Sequence, residues 1–303
     1  MQVYLPIAEL SANALDLLAL GGVTGVLAGM FGIGGGFLVT PILMFMGVAP
    51  AVAVATSANQ IIAASFSGFL SHLKHKRVDI QMGNHLVAGG LLGSALGIWV
   101  FKALSKAGQI DLMITILYVT ILILIGVLMA REAWLYHQGK KRDVRQDEIL
   151  FPSLERLPYK REYARSEVTH SILLPIGMGA LTGLLVAMMG IGGGFIMLPM
   201  MLYVLRMPPT VVVGTSLYHM TFTTAFTTLL HAVTTQTVDV VLAALLLVGS
   251  VVGAQWGARL AHRLPIHYMR ALLALILFAV ALRLAYGLFI TPSEIFTLTI
   301  IPK

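Results

Sequence analysis

Gly32-Ile33-Gly34-Gly35-Gly36-Phe37, with Thr24-Gly25 ahead of it and Pro41 behind, occurs again as Gly190-Ile191-Gly192-Gly193-Gly194-Phe195 with Thr182-Gly183 and Pro199. The spacing between the copies is the same at every one of these identities. After a one-residue insertion, Ala55-Thr56-Ser57 matches Gly214-Thr215-Ser216 and His72 matches His231. After one more, Val78-Asp79 matches Val238-Asp239, and Gly93 and Gly97 match Gly253 and Gly257. So many identities in register make the chain two copies of one unit.

The surroundings of the glycine runs fix the solvent. The chain is 58% hydrophobic and 11% charged, with a mean hydropathy of +0.89, whereas soluble domains carry about 25% charge. Apolar stretches at 12–31, 37–48, 51–73, 85–104 and 112–130 recur in the second copy, and most reach the roughly 17–25 residues that span a hydrocarbon core. Of the 20 Lys and Arg, nine lie in 131–170, as do seven of the 13 Asp and Glu. That segment reads as a water-exposed loop. The remaining acidic residues, Glu9, Asp16, Asp79, Asp111, Asp239 and Glu294, sit near the ends of apolar stretches, where headgroups are within reach. The pI of 9.7 comes from membrane-flanking loops, which argues against a nucleic-acid partner. The absence of cysteine removes disulfides, thiolate metal sites and cysteine nucleophiles. No basic n-region precedes the first apolar stretch, so the N-terminus is expected to be retained.

Loop charge then orients the copies, because short cytoplasmic loops are rich in Lys and Arg. The third apolar stretch ends in His72-Leu73-Lys74-His75-Lys76-Arg77, its partner in His231-Ala232-Val233-Thr234-Thr235-Gln236-Thr237. The next loop reverses the trend, with Lys102 and Lys106 against Arg259, Arg263 and Arg270. Equivalent segments therefore face opposite sides, which needs an odd number of crossings per copy. Five full spans satisfy this, and so do three with a re-entrant hairpin at the short second segment. The expected fold is an all-α polytopic membrane protein of two inverted repeats, each with about five apolar segments and a broken or half-helix at its glycine-rich motif. The expected organisation is a first repeat at 1–130, a charged cytoplasmic linker at 131–170 and a second repeat at 171–303, with both termini outside.

A break at membrane depth is tolerated only inside protein or beside a cavity, and it frees backbone amides for a ligand. The half-helix that follows would present donors and a positive dipole end, which favour an anion. Close helix packing is the competing use of glycine. No Gly-Lys-Ser/Thr follows the run, so it is no Walker loop. Thr56, Ser57, Asn59 and Gln60, matched by Thr215, Ser216, Tyr218 and His219, add a polar cluster near the start of an apolar helix. Neutral donors suit an oxyanion that must be held and then released, although capping and interhelical bonding use the same groups. His72, His219 and His231 are the candidates for coupling transport to protons. Arg283, matched by Ile123, reads as a snorkelling side chain outside the symmetric plan.

Two copies of Gly-Ile-Gly-Gly-Gly-Phe followed by a proline, each trailed by a Thr-Ser pair, resemble the TauE/SafE sulfite-exporter family of membrane permeases over 14–130 and 171–290. The resemblance implies transport of sulfite, or of sulfoacetate or other organosulfur anions, driven by an ion gradient. Carried over residue by residue, it implies a site at Gly34, Gly35, Gly36, Thr56, Ser57, Gly192, Gly193, Gly194, Thr215 and Ser216. The long charged loop between the copies departs from the plainer members.

The leading expectation is a secondary transporter for a small anion in a bacterial inner membrane. It would work without cofactor, metal or catalytic residue, with the bilayer and a proton or sodium ion as its other partners. The oligomeric state stays open. One alternative is an intramembrane hydrolase built on Ser67 with His72 or His85, for which the rhomboid Gly-x-Ser-Gly pattern is missing. Another is a non-transporting assembly protein that uses the 131–170 loop.

Overall fold

A computed structural model describes residues 2–31, 36–137, 158–261 and 266–289. Among the described residues the first copy holds helices α1 (Ala14–Phe31), α2 (Gly36–Phe45), α3 (Pro50–Lys74), α4 (Ile80–Lys106) and α5 (Ile110–His137). The second holds α6 (Leu173–Met189), α7 (Gly194–Tyr203), α8 (Pro209–Thr234), α9 (Val240–Ala261) and α10 (Ile266–Phe289). The five apolar segments expected per copy are therefore five helices. Four stretches are long and apolar enough to cross a membrane, Ile80–Lys106, Ile110–Arg131, Val240–Gly257 and Ala271–Leu288. Their outward faces carry large apolar side chains such as Leu92, Trp99, Leu124, Trp256, Leu275 and Leu282. A continuous exposed apolar surface of this kind calls for lipid.

Each copy also opens with an element that apolar periodicity cannot reveal. Strands β1 (Gln2–Leu5) and β2 (Leu10–Asn13) pair antiparallel, as do β3 (Lys160–Tyr163) and β4 (Val168–Ser171). Leu5 faces Leu10 across the first turn and Tyr163 faces Val168 across the second. Glu9 and Glu167 take the same left-handed backbone, at φ 53 and 51. The second hairpin falls in the charged 131–170 segment, so the copy it belongs to starts earlier than the identities indicate. Residues 138–157 of that segment lie outside the described residues. One hydrophobic cluster lies under each hairpin: Leu5 with Leu17, Leu43, Val52 and Leu242, and Tyr163 with Met82, Met178, Met201 and Val212.

The copies interleave. α1 lies along α9 and α6 along α4, while α3 packs on α8 and α5 on α10. The first two seams are glycine ladders. A Cβ at Gly21, Gly25 or Gly29 would strike the backbone of Leu246, Ser250 or Ala254, and one at Gly253 or Gly257 the carbonyl of Gly22 or Val26. Gly89 and Gly93 of α4 bear in the same way on Ile176 and Ala180 of α6, and Gly183 on Gly90. In lipid no water is released when helices meet, so backbones approach through small residues and gain dispersion contact instead.

α3 and α8 form the centre, and they run antiparallel. Gly214, near the start of α8, sits against Arg77 and His72 at the end of α3. Asp239, just past the end of α8, bonds Thr56 near the start of α3. Pro50 and Pro209 open these helices, where a missing amide costs nothing.

Candidate functional site

The second glycine run interrupts the chain as its composition demands. α6 stops at Met189, and Gly190, Gly192 and Gly193 take φ of 67, 74 and 72° before α7 starts at Gly194. Side-chain-bearing residues avoid that backbone region, which is why three glycines are needed in four positions. In the first copy, Gly34 and Gly35 lie outside the described residues, and Gly36 opens α2. Helices α2 and α7 have 10 residues each, about 15 Å of rise, half of a roughly 30 Å hydrocarbon core.

The starts of α2 and α7 adjoin. Phe37 and Phe195, one residue into α2 and α7, stack with ring centroids 5.0 Å apart and planes at 14°. A Cβ on Gly36 would come within 2.7 Å of the Gly190 carbonyl oxygen. Ile61 and Met220, from α3 and α8, close over Gly192. Gly36, Phe37 and all of 190–195 are buried. Two helix N-termini therefore converge in the interior, and each brings orphan amides and a positive dipole end. At α7, Ile196 and Met197 turn their amides onto the Gly193 carbonyl, at 3.2 and 2.9 Å.

Hydroxyls from the first copy serve the C-terminal end of α6, where it meets the break. Ser57 Oγ donates to the Gly190 carbonyl at 3.3 Å and shares a 2.6 Å bond with Thr40 Oγ1. Tyr118 OH donates to the Met189 carbonyl. These carbonyls end a helix and need external donors. The arrangement is not symmetric: Ser216, the counterpart of Ser57, bonds the Met220 sulfur at 3.8 Å.

Thr56 and Thr215 do something else. The amide of Asp239 donates to Thr56 Oγ1 at 3.1 Å, and the amide of Asp79 to Thr215 Oγ1 at 2.9 Å, so each copy holds the other at equivalent points. Asp79 Oδ1 caps α4 by accepting from the Met82 amide, and Asp239 Oδ1 accepts from Val241 and Leu242. Their second oxygens accept from the hairpins: Ser166 Oγ on Asp79, the Ile7 and Ala8 amides on Asp239. Both carboxylates are buried, at 2% and 0% exposure, and each oxygen has a donor. Sequence reading set both aspartates at helix ends and aligned them, without assigning this lock.

Of the remaining expected residues, Asn59 bonds the Thr56 carbonyl at 3.4 Å, and Tyr218 reaches Asn84 at 2.7 Å on the exposed side of α8. Gln60 Nε2 donates to Thr24 Oγ1 at 3.3 Å, leaving its Oε1 without a partner. His219, its counterpart, is fully buried with both ring nitrogens unpartnered. His231 is held by the Ala187 carbonyl at 3.0 Å and Thr235 Oγ1 at 3.2 Å. His72 lies at the end of α3 against Gly214. Arg283 stacks over the Phe45 ring at 4.8 Å. Ser67, the hydrolase candidate, is exposed on α3.

The family model described as sulfite exporter TauE/SafE matches residues 17–284. A Bacillus subtilis protein named probable membrane transporter protein YunE is 27% identical over 282 residues, covering 90% of this chain and 98% of the relative. A Xylella fastidiosa protein named probable membrane transporter protein is 28% identical over 266 residues, 86% of this chain and 91% of its own. An Arabidopsis thaliana protein named sulfite exporter TauE/SafE family protein 1 is 30% identical over 106 residues, which is 34% of this chain and 23% of that protein. No solved structure matches.

Proposed function

Because the chain belongs to the sulfite exporter TauE/SafE family and is a multi-pass membrane transporter, we propose that it is a secondary transporter that moves sulfite or a small organosulfur anion. The observation that carries this reading is the meeting of two half-helix N-termini, marked by the stacked Phe37 and Phe195. An oxyanion placed there would accept from backbone amides of Gly36 and of Gly192, Gly193 and Gly194, and, by the repeat, of Gly34 and Gly35. Dipole ends and neutral donors attract a negative solute without a fixed counter-charge that would trap it.

The carrier is read as two inverted repeats in the bacterial inner membrane, each helix of one copy running in the opposite direction to its equivalent in the other. The antiparallel run of α3 and α8 supports this, as does the position of the basic 74–77 segment beside the start of α8. Alternating access then consists of rocking the α1–α9 and α4–α6 pairs about the central α3–α8 pair. The chain carries no Walker motif of its own, so an ion gradient drives the cycle.

Counterflow of labelled sulfite and methanesulfonate in proteoliposomes tests the reading. Saturable exchange, inhibited by the unlabelled anion, is expected. Folded protein that exchanges neither anion would overturn it.

A further inference from the structure

α8 carries a polar stripe on one face: Ser216, His219, Thr223, Thr227 and His231 are buried and spaced three or four residues apart. Most of the stripe is satisfied. Thr227 Oγ1 donates to Ser94 Oγ at 2.8 Å, and His231 uses both nitrogens. His219 does not: neither ring nitrogen has a partner, and nor does Thr223 Oγ1 one turn on. Both face Gly90 of α4, where a Cβ would fall 2.8 Å from His219 Nε2 and closer still to Thr223 Oγ1. A neutral imidazole has one donor and one acceptor nitrogen, and burying both unpaired is costly. Such a group points to a role that the contacts seen here do not fill.

The first copy has no counterpart that could titrate. Gln60 stands at the position of His219 and Ala64 at that of Thr223. The asymmetry falls beside the helix breaks, since Met220, the next residue, packs on Gly192.

We propose that His219 is the proton-binding site that couples this carrier to a proton gradient, an inference that rests on the transporter reading above. When α8 parts from α4, water reaches the ring and it takes up a proton. An imidazolium can return to the interior only with a compensating charge, which the anion at the adjacent break supplies. The empty carrier returns with the ring neutral. One proton therefore travels with each monovalent anion. The titratable or charged groups on the helices packed against α8 are His72 and Lys74 on α3, Asp79 at the start of α4, His85, Lys102 and Lys106 along it, and Tyr203 on α7, with none on α6. None hydrogen-bonds to the ring, so no resident carboxylate takes the anion's place.

The test compares wild type, H219Q and H231Q in proteoliposomes. H219Q installs the side chain the first copy already has. With the voltage clamped at zero, a gradient of about one pH unit should sustain about tenfold accumulation of labelled methanesulfonate by wild type and H231Q. H219Q should give a ratio near one, with measurable counterflow at equal pH showing that an anion still crosses without the coupled proton. Accumulation by H219Q equal to wild type, or accumulation that follows a sodium gradient and ignores pH, overturns the proposal. If folded wild type exchanges no anion, the transporter reading fails instead, and a second measurement still decides the site. In 15N-histidine spectra of the bilayer-reconstituted protein with methanesulfonate present, the signal lost in H219Q should change from neutral to protonated as the pH is lowered; a ring that stays neutral throughout overturns proton binding.

Discussion

Thr56 and Thr215 illustrate how much a residue's role depends on contacts that sequence spacing cannot supply. As part of a repeated Thr-Ser pair in an apolar helix, each fits a substrate site. Yet the donor to Thr56 Oγ1 is the amide of Asp239, 183 positions away. The aspartates carry the same lesson, for the repeat aligns them, but their bonds to the hairpins appear only once the copies interleave. T56V and T215V keep the shape and leave one buried amide unpaired in each case. We expect a loss of about 1–3 kcal/mol per substitution, nearly additive in the double variant because the two locks share no partner. Thermal melting in detergent should show the three values. A double variant that melts like wild type would mean that the locks contribute nothing to the assembly of the halves. The glycine runs were the easiest residues to read, since a left-handed backbone at 190, 192 and 193, with Val54 pressing on Gly190 and Ile61 on Gly192, favours glycine over any side chain.

At the scale of the element, apolar length gave the ten helices and foretold the two short ones. It missed the hairpins because four-residue strands are too short for a period-two pattern to stand out, with only Leu5 and Tyr163 fully turned inward. The helix pairing was also out of reach. Gly93, Gly97, Gly253 and Gly257 were visible as matched glycines, but which helices they joined was not, because each seam crosses from one copy to the other. Their packing can be tested against an internal control. G253V drives two methyl groups into the Gly22 carbonyl across the α1–α9 seam, with an expected penalty of about 1–3 kcal/mol. G177A on α6 meets nothing within 4 Å, and should be neutral or slightly stabilising through helix propensity. Size-exclusion profiles and melting curves should separate the two; equal behaviour would remove the case for tight seams.

For the whole molecule, the two hairpins turn the inversion into a question of sidedness. Tyr4 and Glu162 occupy equivalent exposed positions on β1 and β3, so they mark opposite faces if the copies are inverted and the same face if they are parallel. Charge favours the first. The β1–β2 hairpin has no Lys or Arg, whereas the β3–β4 hairpin carries Lys160, Arg161 and Arg165. Arg165 also reaches the carbonyls of Lys76 and Val78, at 3.1 and 3.2 Å, in the basic loop after α3. By the positive-inside rule such a concentration of basic groups is expected on the cytoplasmic face. The chain has no cysteine, so Y4C and E162C each present a single thiol without further engineering. In intact spheroplasts, a membrane-impermeant maleimide should label Y4C fully and E162C only after the membrane is opened. Labelling of both from outside would place the repeats in parallel, and with them both half-helix dipoles would point the same way across the bilayer. An anion would then meet one favourable helix end and no matching one on its way out, and alternating access by exchange of equivalent halves would lose its geometry.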